Sequence, residues 1–183
     1  MEEKVFHLAF HHLVKMITPE VKQTITFKVD SSINTQAAAI PSMENHYEIN
    51  VNSKKVVENY KKIIVSHGIK LAQFKTYVYI ILLHELGHCT KQKQEDPLKN
   101  FIKDHREALN VGDKVRYVKS LDLFINDYIK EEKRAWDWAI NHTPEAVCEK
   151  QTVKDLAKIF VEASAYRKKE WKKDRVSFFH RFY

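Results

Sequence analysis

Glycine and proline are scarce, with three and four copies in 183 residues. A chain so poor in turn formers is not expected to be a loop-rich β sandwich or barrel, and its regular structure should be mainly helical. Cysteine is scarcer still, with only Cys89 and Cys148. Two thiols cannot build a disulfide framework, so both are read as reduced, in a reducing compartment. Long apolar runs are also missing. The longest, Tyr77 to Leu83, is far too short to span a bilayer. The opening MEEKVFHLAFHHLVKMI is interrupted by His7, His11, His12 and Lys15 and offers no small-residue cleavage site, unlike a secretory signal. A cytoplasmic protein without a membrane segment is therefore expected.

What is present suits an ordinary globular protein: 44% of residues are hydrophobic and 11% aromatic. At this length folding buries roughly 70% of the surface, so a core forms without staples. A single domain over residues 1–183 is expected, with a core at 20–142 and a basic helical extension at 144–183. The net charge of +7 would suit an acidic protein or a DNA-bound partner, although a lysine-rich solvated surface is the preferred reading.

Periodicity gives a coarse order of elements. Phe6, Phe10, Leu13 and Ile17 share a helical face, which predicts a first helix over 4–17, ended by Pro19. Residues 21–30 and 46–52 are rich in β-branched residues and partly alternate, as strands do, and 35–45 offers a short third strand broken at Pro41. A helix over 53–67 is expected, capped by Ser53 and stopped by Gly68. The next, over 71–91, is apolar nearly all round, as a helix at the centre of a domain would be. Residues 91–120, with Pro97 and Gly112, read as a loop-rich excursion holding one short helix near 104–110. Long helices are expected over 120–141 and 153–171. The fold class is α+β, mainly helical, with a small antiparallel sheet packed beside the helix over 71–91.

That buried helix ends in HELGH, His84 to His88. Histidines four apart leave one helix face a turn apart, the spacing of two ligands for one tetrahedral zinc. Glu85 is offset from them and suits a general base acting on water that the metal activates. Gly87 fits a place where another element approaches closely. With this chain's composition HExxH arises by chance roughly 0.04 times, so accident is the poorer explanation. A third ligand is still needed. The metzincin pattern fails, because its third histidine would fall on Gln94 and its glycine on Lys91. Glu131 and Glu132 on the later helix can supply a carboxylate, and Asp104, His105 and Glu107 in the excursion are competitors.

HELGH followed by Glu132, Ala135, Trp138 and Ala139 in Glu-x-x-Ala-x-x-Trp-Ala spacing resembles the ImmA/IrrE-type metallopeptidases, over residues 20–142. The resemblance implies a gluzincin-like fold, Zn²⁺ held by His84, His88 and Glu132, and Glu85 as catalytic base. It also implies a protein substrate, a helix-turn-helix repressor of a mobile element or stress response. After Ala135 such proteins often carry Asn or Asp, where this chain has Trp136. The rival from another class is a zinc-containing antirepressor that binds a regulator without cutting it.

Other residues point less sharply. His7 and His11 share the spacing of four, but no glutamate follows the first, and a partly exposed structural pair is the preferred reading. Cys89 is turned about 100° from His88 and reads as a core thiol. His105, Tyr117, Tyr128 and His142 are candidates for stabilising a carbonyl oxyanion. The tail from Tyr166 to Tyr183 mixes basic and aromatic residues, which would suit direct nucleic-acid binding. Packing of Trp171, Phe178, Phe179 and Phe182 on the body is favoured over that.

Overall fold

The computed structural model describes residues 2–17, 23–43, 46–67, 73–90 and 97–182, without the side chains of 2, 17, 43, 97–100 and 178–182. Gly68, named above as a helix stop, lies outside them. Among the described residues the order is α1 (Glu2–Ile17), β1 (Thr24–Val29), β2 (Ala37–Met43), β3 (His46–Val51), α2 (Ser53–His67), α3 (Phe74–Cys89), α4 (Pro97–Asn110), α5 (Lys114–His142) and α6 (Lys150–Phe182). The class is α+β and mainly helical. None of these helices is long and apolar enough to cross a membrane. The chain forms two compact units, Met1–Lys91 with Arg134–Leu156, and Gln92–Lys133 with Ala157–Tyr183.

In the first unit α3 is central. It is buried from Tyr77 through Gly87, as its unbroken apolar circumference demands. α1 turns Phe6, Ala9, Phe10 and Leu13 into the core, with Phe6 edge-on to Phe74 of α3 at 6.2 Å. α2 contributes Val56 and Ile63. Its cap is Asn52 and not Ser53: the Asn52 side-chain oxygen accepts from the Lys55 amide at 3.2 Å, three residues on. The buried Tyr77 hydroxyl donates to Gln36 Oε1 at 2.7 Å, and Asn59 donates to the same oxygen at 3.1 Å.

The sheet is mixed, where an antiparallel one was expected. Its order is β1-β3-β2, with β3 antiparallel to β2 and parallel to β1. The reason is topological. β2 holds one edge and β1 the other, and β3 takes the centre, antiparallel to the first and parallel to the second. Pro41 lies on the edge strand β2, where a missing amide is tolerated, next to a register shift between Pro41 and Met43. Ala37 and Ala39 pair with Val51 and Ile49. These small side chains share a face with the two buried ones and let α3 pack close to β2.

The second unit corrects the reading of 91–120. In place of a loop with one short helix there are two long helices joined by a tight turn. Proline at the first position of α4 starts a helix, since no intrahelical bond is lost there. Gly112 takes φ 67°, a left-handed conformation suited to glycine, and Asp113 caps α5 by accepting from the Arg116 amide at 2.9 Å. Ala108, Tyr117 and Leu121 form the core, with Phe101, Leu109, Val118, Trp171 and Val176 packed on it. Trp171 of the basic tail thus packs as expected, while the side chains of Phe178, Phe179 and Phe182 lie outside the described residues.

Candidate metal centre

His84 and Glu85 are each 6% exposed, on the last buried turns of α3, and His88 is half-buried. Their helix brings the two imidazoles together: His84 Nε2 and His88 Nε2 face each other at 3.2 Å, with the rings at 78°. Two nitrogens bound at about 2.0–2.1 Å to one tetrahedral zinc stand about 3.3 Å apart, so the pair is already at ligand spacing. Glu132 stands on α5, three residues before Ala135. One atom each from His84, His88 and Glu132 lie within 4.8 Å of one another, a group that could hold a metal ion.

The crossing of α3 and α5 explains Gly87. A Cβ at this position would lie 2.5 Å from the Ala135 carbonyl oxygen and 3.0 Å from its Cα, so only glycine admits the approach. Arg134 then ties the two helices. Its guanidinium donates to the Gly87 carbonyl and to Thr90 Oγ1, both at 2.9 Å, and the Thr90 hydroxyl donates to the same carbonyl at 2.7 Å. A cation on the last carbonyls of α3 also complements the negative end of that helix. Trp136, 2% exposed, stacks on His84 with centroids 4.3 Å apart and planes at 22°. On the Glu132 side, the Tyr128 hydroxyl one turn earlier hydrogen-bonds the Glu132 carboxylate. Burial, then that carboxylate, push the phenol up to about 12.

The competing ligands are engaged elsewhere. Asp104 and Glu107 both pair with Arg116, at 3.1 and 2.6 Å. His105 lies against Tyr117 at 4.1 Å and Phe101 at 4.8 Å, with Nδ1 3.3 Å from Ser120 Oγ. Burial, then the charge of Arg175, lower its pKa. Among the described residues Glu132, and not Glu131, joins the histidine pair. Of the oxyanion candidates, Tyr117 is fully buried in the second unit with its hydroxyl 3.4 Å from the Arg175 carbonyl. His142 Nδ1 lies 2.7 Å from the Trp138 carbonyl and its ring stacks on Trp138. Cys89 is a core thiol, 0% exposed, donating to the Glu85 carbonyl at 3.4 Å.

In the sequence Arg134 has no assigned role, and Trp136 shows only as a departure from the resembled pattern. The signal for Trp136 is the stripe Glu132, Ala135, Trp136, Ala139, at spacings of three and four; Arg134 stands off that stripe. Compared with models of protein families, with curated proteins and with solved structures, the chain matches none.

Proposed function

We propose that this chain is a zinc-dependent peptide hydrolase in which His84, His88 and Glu132 hold the metal and Glu85 is the general base. The observation that supports it most is the pair of Nε2 atoms 3.2 Å apart at the buried end of α3, with a Glu132 oxygen in the same group. Two imidazoles and a carboxylate leave one position of a tetrahedral ion open, the donor set of catalytic rather than structural zinc. A divalent ion held there supplies acidification of water and polarisation of a carbonyl oxygen.

The chain's own residues do the rest. Glu85, buried beside His84 and not a member of the ligand group, takes a proton from the attacking water and passes it to the leaving amine nitrogen. A structural site has no use for such a base. Tyr128 orients the Glu132 carboxylate by its hydrogen bond, as partners of metal-binding carboxylates commonly do. Arg134 holds the end of α3 in place against α5.

The resemblance to ImmA/IrrE-type peptidases extends the proposal to a cytoplasmic enzyme acting on a protein, with a helix-turn-helix repressor the first substrate to try. The net charge of +7 favours encounter with acidic surfaces.

Metal content of the purified protein tests the reading. About one zinc per chain is expected, lost in His84→Ala and Glu132→Ala but kept in Glu85→Gln. Glu85→Gln should lower hydrolysis by roughly 10²–10⁴-fold. No zinc in the wild type, even after reconstitution, sinks the proposal. Zinc lost in His84→Ala alone moves the third ligand away from Glu132. Inactivation of a repressor that survives Glu85→Gln makes the chain an antirepressor that binds without cutting.

A further inference from the structure

Helix spacing alone does not make a ligand of His84. The last torsion of a histidine side chain is broad and roughly two-fold, so a helix fixes where the ring starts but not its plane. In this chain the plane is set by α5. The Trp136 indole covers one face of the His84 ring, nearly parallel at 4.3 Å, with both side chains buried. The backbone carrying the indole is pinned just before it. Ala135 lies against Gly87 with no room for a Cβ, and Arg134 is bonded to the Gly87 carbonyl and Thr90. A ring rotation at His84 would have to displace an indole whose position is fixed by a helix crossing.

We infer that Trp136 is a positioning residue for the metal centre: its stack holds the His84 ring so that Nε2 faces His88 Nε2, and metal affinity depends on the indole. This rests on the metal-centre reading above. The same helix carries its own control. Trp138, two residues on, stacks on His142 at 4.0 Å and 15°, and His142 is no member of the ligand group. Indole on imidazole is thus used twice on α5, and only one use bears on the metal.

The test is zinc affinity, measured by competition with a chromophoric chelator for wild type, Trp136→Leu, Trp136→Phe and Trp138→Leu. Trp136→Leu should bind zinc about 10–100-fold more weakly, the range for residues that orient metal ligands. Trp136→Phe, which can still stack, should recover most of the loss, and Trp138→Leu should equal wild type. Equal affinity of Trp136→Leu and wild type overturns the inference and leaves the metal centre standing. A wild type that binds no zinc overturns the metal centre itself. Should Trp136→Leu not fold, the full chain labelled with 5-fluorotryptophan decides. Zinc should shift the fluorine resonance of Trp136, assigned with Trp136→Phe, and saturate at one equivalent. A resonance that zinc leaves unmoved overturns the inference.

Discussion

Helix α1 carries His7 and His11 four residues apart, and helix α3 carries His84 and His88 at the same spacing. On α1 both histidines are exposed, and His7 lies edge-to-face with Phe27, at 5.1 Å. On α3 the pair lies at the buried end of the helix, another helix crosses it in contact at Gly87, and a carboxylate arrives from that second helix. Spacing therefore supplies two donors on one face and nothing more. What distinguishes the α3 pair is removal from water, a ring plane fixed by Trp136, and a third donor from a segment more than forty residues away. His12, next to the α1 pair, makes the contrast sharper: its ring bonds the Tyr79 hydroxyl and so ties α1 to α3, and it joins no metal group among the described residues.

The largest contrast should appear when the two pairs are truncated in parallel. His88→Ala should reduce bound zinc from about one per chain to near zero, while the double variant His7→Ala, His11→Ala keeps it. Zinc lost from the α1 variant as well would erase the distinction. Next in size is Gly87→Ala, whose methyl meets backbone that cannot step aside. Denaturant unfolding should show a loss of roughly 3 kcal/mol, the upper part of the range for overpacking, and α1 offers no equivalent. Arg134→Met removes charged donors from the Gly87 carbonyl and Thr90 and should cost about 2 kcal/mol in the same assay. Smallest is Tyr79→Phe, which deletes the bond to His12 and should lower stability by about 1 kcal/mol with zinc content unchanged.

Much of this was legible in the sequence, for reasons that can be named. α3 announces itself because a helix buried all round must be apolar all round, and α2 was bounded at 53–67 as observed. The strands were visible through β-branched residues, but their mixed directions were not. Direction depends on which strand takes the centre, and alternation is the same for a parallel and an antiparallel neighbour. α4 was hidden by Pro97, which opens a helix as readily as it breaks one and carries no mark of which. Asn52 and Ser53 are both good caps, and adjacent good caps cannot be ranked by residue type. HELGH gave the histidine pair outright because its members share one turn. The bonds of Arg134 and the stack of Trp136 stayed hidden because their partners, Gly87, Thr90 and His84, are remote in sequence. The pairing of 92–133 with 157–183 was hidden for the same reason: it is made by contacts such as those of Trp171 with the core around Tyr117.

Cys89, one residue past His88, has a use for whoever handles this protein. Its sulfur is fully buried, and burial, then the charge of Glu85, push the thiol well above its ordinary range. A neutral thiol without solvent access resists alkylation, whereas Cys148 is only half-buried. Iodoacetamide should therefore mark Cys148 on the native chain and reach Cys89 only when the end of α3 opens. The second adduct is then a clock, and its rate with and without added zinc would time how often the HELGH turn comes apart.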